Sequence, residues 1–215
     1  MSPKPSSFGF LLRNGSRVVH GSGVPKIPAF KSEPNIPGIL HLYNLGAAGD
    51  SSGATPSFRG AHGYFPFDMS MRMPRHVHIS PSSLGPPRFI TEKVLTLTGI
   101  GMVELAGEIF VVPPLTMIMI AAGVPHTWMP APPGLDFQAL GLADEKLESD
   151  GNFTATFEYS DDTSFFPTAQ TNRLDSVQDY IACNDLESIR FPEMTVEDVK
   201  KRALFIWGHN ALKLE

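Results

Sequence analysis

The chain has 215 residues, 42% of them apolar, with 17 basic and 22 acidic side chains for a net charge of −5, which suits one folded domain with extensions and a sizeable core. An acidic balance without a Lys/Arg cluster excludes ordinary nucleic-acid binding. No stretch reaches the roughly 18 consecutive apolar residues of a membrane helix, and 19 Gly with 20 Pro argue against a helical bundle.

Residues 1–60 read as an N-terminal arm with isolated strands. Pro, Gly and Ser interrupt it, leaving apolar runs at Phe8–Leu12 and Ile39–Leu45, and Ala47–Ser57 has the small, polar composition of a surface loop. Met1–Ser7 lacks the apolar core behind a basic start that marks a secretory leader, and Cys183 is the single cysteine, so a reducing, cytoplasmic setting is expected. Residues 61–143 read as the core. The runs Tyr64–Met73, Phe89–Thr98, Met102–Leu105, Glu108–Val112, Thr116–Ile120, His126–Met129 and Phe137–Leu142 are separated by Gly and Pro, the spacing of short strands in a sandwich or small barrel with a cavity. Residues 144–215 read as a C-terminal strand and helix extension. Asp175 or Ser176 is a cap for a helix carrying Val177, Tyr180 and Ile181. Thr195 with Asp198 makes a capping box for a second carrying Val196, Val199, Ala203 and Ile206.

The chemistry-bearing residues fall inside the core. On a strand, residues two apart share a face, so His76 and His78 aim both imidazoles at one point, as a chelating pair or as plain polar residues of a half-exposed strand. Glu92 opens an alternating strand that ends at Gly99, and His126 follows a tight turn after the apolar run Ile118–Ile120. With inward-facing histidines, parity puts Arg72 on their face, where it can anchor a carboxylate or phenolate or stay at the rim, and puts Arg75 outside. Trp128 shares the face of His126 and, with Met73, is expected to line a cavity. Tyr64 and Gln138 are candidates for a proton or a hydrogen bond near its centre.

The order His-x-His, Glu, Gly, then His some 30 residues on resembles the two motifs of the cupin superfamily, RmlC-like jelly rolls, over about residues 61–143. His76, His78, Glu92 and Gly99 fill the first motif; Pro114, Gly123 and His126 fill the second. Three features depart from the family pattern: the insertion Ser80–Pro87 between His78 and Glu92, Pro114-Leu115-Thr116 in place of Pro-Gly-Asp, and Pro130 where a polar residue often stands. The resemblance implies an all-β, cupin-like jelly-roll barrel in which His76, His78, Glu92 and His126 hold one divalent ion, Fe, Mn, Ni, Cu or Zn. By the same analogy it implies a homodimer acting on a small molecule. The function expected is a metal-dependent dioxygenase-type oxidoreductase acting on an aromatic or carbonyl-bearing substrate, with Glu92 also accepting a proton. The alternatives are a non-oxidative isomerase, lyase or cyclase in which Glu92, Tyr64 or a histidine moves a proton, and a non-catalytic ligand-binding cupin.

Overall fold

In the computed structural model, residues 4–6, 9–20, 26–28, 41–43, 60–208 and 210–214 are described. The arm contributes β1 (Lys4–Ser6), β2 (Gly9–Leu11), β3 (Arg17–His20), β4 (Lys26–Pro28) and β5 (His41–Tyr43). There follow β6 (His62–Asp68), β7 (His76–Ile79), β8 (Glu92–Gly99), β9 (Gly101–Leu105), β10 (Glu108–Val112), β11 (Thr116–Ile120) and β12 (His126–Pro130). Next come β13 (Asn152–Tyr159), β14 (Ser164–Pro167), helix α1 (Val196–Arg202), β15 (Leu204–Trp207) and β16 (Asn210–Lys213).

Two seven-stranded sheets face one another as a jelly roll, ordered β1-β2-β3-β11-β8-β13-β6 and β14-β7-β12-β9-β10-β15-β16; β4 and β5 form a separate pair. Among the described residues no helix is long and apolar enough to cross a membrane. Alternation along the strands sends one face inward. Val94, Val103, Leu105, Phe110, Val112, Ile118, Ile120, Trp128 and Phe153 fill the space between the sheets. The second sheet is also covered outside, where Met102, Ile109, Val111, Met129 and, from β15, Phe205 pack on Phe137, Phe191 and Val199. Strands buried on both faces read as continuous apolar runs, which is why Glu108–Val112 and Thr116–Ile120 were legible to the residue.

The barrel does not stop at residue 143. β13 lies between β8 and β6, and β14 extends the second sheet beside β7, so the segment assigned to the extension supplies one central and one edge strand. The expected strand Phe137–Leu142 is a run of turns instead: the Asp136 side chain accepts from the Gln138 amide at 2.9 Å and its carbonyl from the Leu140 amide at 3.1 Å. Thr195 caps α1 with the reciprocal Asp198 contact, but Ile206 lies beyond the helix in β15. At Ser176 the box closes only a three-residue 3-10 turn, because the backbone is extended again at Tyr180, whose hydroxyl donates to the Pro167 carbonyl at 2.9 Å.

Candidate metal centre

β7 presents His76 and His78, and β12 opens with His126 directly across the ladder from His76. The turn before His126 depends on Gly123, whose φ of 77° is left-handed. A Cβ there would collide with the Leu174 carbonyl oxygen. In the Pro114–Thr116 turn Leu115 takes a φ of 64° without being glycine, a conformation that costs a side-chain-bearing residue about 1 kcal/mol or more. The long insertion does not displace Glu92. Its ends are pinched where the Ser80 amide donates to the Arg88 carbonyl at 2.9 Å, and the Ile90 amide donates to the His78 carbonyl at 2.9 Å, so Ser80–Pro87 bulges outward and the chain returns in register.

All four residues are buried, the histidines at 1–2% exposure. One ring nitrogen from each of His76, His78 and His126 lies within 4.8 Å of the others, a group able to hold a metal ion. Each histidine places Nδ1 against a backbone carbonyl: His76 on Pro74 at 2.9 Å, His78 on Ser164 at 3.2 Å and His126 on Val124 at 2.9 Å. A neutral ring bonded in this way donates from Nδ1, which leaves the Nε2 lone pair free. Glu92 Oε2 sits 3.0 Å from His126 Nε2 and 3.3 Å from His78 Nε2, yet these three atoms are buried without a hydrogen-bond partner. Buried acceptors facing one another without a donor are rare, and a cation among them is the simplest way to satisfy all three. The donor set of imidazoles and carboxylate therefore fits a divalent transition metal.

The electrostatics agree. Burial, then the neighbouring His126 and His78, hold His76 well below the usual imidazole range. Burial alone would raise the Glu92 carboxyl; it is held below the usual carboxylate range where positive charge or a proton stands at His126 and His78 Nε2, the place a bound cation would take.

The centre forms the floor of a cavity of about 420 Å³ whose lining includes Phe65, Phe67, Met73, His76, Glu92, Trp128, Phe157, Tyr159, Thr163 and Phe165. Met73 and Trp128 are on that wall. Tyr64 is not: it points outward from β6, 72% exposed, opposite Thr156. A turn in which the Ser70 and Met71 amides bond to Asp68 breaks the expected Tyr64–Met73 strand, so parity does not carry from Tyr64 to His76, and the catalytic expectation for Tyr64 is corrected. Gln138 is likewise outside, exposed, its amide donating to the Asp144 carbonyl at 2.9 Å. Arg72 is committed to the C-terminal segment through the Phe191 carbonyl at 2.9 Å and Glu193 at 3.4 Å, not to the cavity. Arg75 lies outside the barrel in a paired contact with Glu104 at 2.7 and 3.2 Å.

Tyr159 is the residue that the sequence reading missed. It is paired across the ladder with Glu92, is 7% exposed, and its ring lies 4.6 Å from that of His78. Burial, then the adjacent Glu92 carboxylate, push its phenol well above the usual range. The signal was present: Phe153, Ala155, Phe157 and Tyr159 alternate with Thr154, Thr156 and Glu158, the pattern of a half-buried strand.

The structure is thus a two-sheet jelly roll with the His-x-His, Glu and His of the sequence pattern clustered on its inner walls. No family model matches the sequence, and no curated protein matches it. Solved structures of low identity do. A dTDP sugar isomerase from Desulfovibrio desulfuricans is 12% identical over 83% of this chain and 90% of its own, with a TM-score of 0.40. The 3,4-ketoisomerase QdtA from Thermoanaerobacterium thermosaccharolyticum, a double mutant in complex with TDP, is 13% identical over 70% and 82%, with a TM-score of 0.36. A cupin 2 domain-containing protein from Halorhodospira halophila is 13% identical over 69% and 77%, with a TM-score of 0.33.

Proposed function

We propose that this protein is a metal-dependent enzyme that moves protons on a small, uncharged, aromatic or carbonyl-bearing molecule, an isomerase or lyase in type. The observation that carries this reading is the acceptor-only centre of His78, Glu92 and His126 with the Tyr159 phenol beside its carboxylate. A divalent ion held by His76, His78, Glu92 and His126 would supply Lewis acidity toward a substrate oxygen. Tyr159 keeps its proton through the neutral range and is placed to deliver it at the cavity wall, with Glu92 the adjoining acceptor. No Lys or Arg is among the described lining residues, so a diphosphate would lack the cationic partners it needs. A second reading, oxygenase chemistry, has the donor set in its favour, since three imidazoles and a carboxylate also suit redox-active metals.

The test uses 2-hydroxy-1-phenylethanone and protein purified without a nickel tag. Expected are about one equivalent of metal and, without dioxygen in D2O, exchange of the carbon-bound hydrogen beside the carbonyl. Accompanying isomerisation to 2-hydroxy-2-phenylacetaldehyde moves one proton off C2 and one onto C1. Protein that holds no added metal would overturn the site, and turnover that consumes dioxygen would replace the isomerase reading by the oxygenase one.

A further inference from the structure

We propose that Phe165 is the specificity-determining residue of the cavity: its ring is the outer wall of a slot that seats a flat, uncharged aromatic ring against the histidine centre. What the seated molecule's oxygens meet rests on the metal-dependent reading above; the slot rests on geometry alone.

The cavity lies where the barrel has a seam. β6 ends the first sheet and β14 begins the second, and the two do not pair with one another. Residues from both line the cavity, Phe65 and Phe67 from β6 and Phe165 from β14, so the mouth opens between these edges. On the inner side the aromatic rings pack on one another. Phe65 stacks on Phe157 at 6.1 Å and 13° and meets Phe67 edge-on at 5.3 Å. Phe165 differs: it is 54% exposed, and its described ring neighbours are the imidazoles of His76 at 4.7 Å and His78 at 5.1 Å. An aromatic ring leaning on two metal-ligand candidates with its other surface in water has a free stacking surface at the mouth. A planar guest reaching the centre must pass along that surface and gains ring contacts that a puckered, saturated guest of equal size cannot make.

The test compares two probes with the same hydroxyketone head, 2-hydroxy-1-phenylethanone and 2-hydroxy-1-cyclohexylethanone, by calorimetric titration of zinc-loaded and metal-free protein. Transfer from water alone favours the more apolar cyclohexyl compound, so a pocket that only excludes water would prefer it. The wild type is expected to bind the phenyl probe about fivefold more tightly than the cyclohexyl one, Phe165→Leu to lose that preference and Phe165→Trp to keep it. Phe165 is largely exposed, so these variants should retain the wild-type melting profile and zinc content. Equal preference in wild type and Phe165→Leu would overturn the proposal, as would thymidine diphosphate binding in the cavity at millimolar concentration. Loss of zinc binding with the preference intact in metal-free protein would sink the metal reading and support the slot.

Discussion

Glu92→Gln is expected to stabilise the metal-free protein while weakening the metal-loaded one. In the wild type a single oxygen, Oε2, stands 3.0 Å from His126 Nε2 and 3.3 Å from His78 Nε2. With Nδ1 of each ring donating to a backbone carbonyl, both Nε2 atoms are acceptors. A glutamine amide nitrogen in that place brings two hydrogens, one for each. Two net hydrogen bonds at about 1 kcal/mol apiece, with a buried charge removed, give about 2 kcal/mol. For a chain of this size that is a melting temperature about 4–8 °C higher. With metal at about a thousand times its dissociation constant, the wild type should gain about 4 kcal/mol by linkage, and the variant, deprived of its charged ligand, less than half of that. The assay is a thermal melt of both proteins at pH 8, with EDTA and with zinc. A metal-free variant that melts at or below the wild type would refute the account of facing acceptors, because it would mean that Oε2 already has a donor.

Three further outcomes are expected. Acid should destabilise the metal-free protein in two stages. The His76 pKa lies below its unfolded value of 6.5, so the unfolded chain takes up the proton first and stability declines as pH falls below about 6.5; Glu92, depressed from 4.5, adds a further loss below about 4.5. Urea midpoints between pH 4 and 8 measure both. Tyr159→Phe should lower turnover about a hundredfold with unchanged metal content, whereas Tyr64→Phe should leave it within about twofold; paired elemental analysis and rate measurement separate the two. Thr195→Ala should cost about 1 kcal/mol, or about 2–4 °C, read by calorimetry, since it removes one side of the α1 capping box.

The sequence exposed those features that local chemistry controls. Strand ends near Gly99 and Gly123 and the Thr195 cap are written in single residues. The His-x-His pair declares a shared face through strand parity alone. What stayed hidden depends on contacts between distant segments. Nothing local reveals that Asn152–Tyr159 is inserted between β8 and β6, so Tyr159 could not be paired with Glu92 even though its own alternation marks a strand. The Asp68–Met71 turn reset the parity that had connected Tyr64 to His76, and the Asp136 turn consumed an apolar run that by composition alone reads as a strand. Arg72 was placed by parity, but its partners come from about 120 residues further along the chain, beyond any periodicity.

The ligand geometry has a mechanical side as well. His76, His78 and His126 belong to one sheet and Glu92 to the other, so an ion bound by all four would be a rivet through the sandwich, placed toward the seam that no backbone ladder closes. Pulling the sheets apart there would require rupture of coordination bonds, not only the sliding of side chains. Loading would then slow unfolding more than it speeds folding, and a chelator would act as a solvent-borne tool for unzipping the barrel from its unlaced edge.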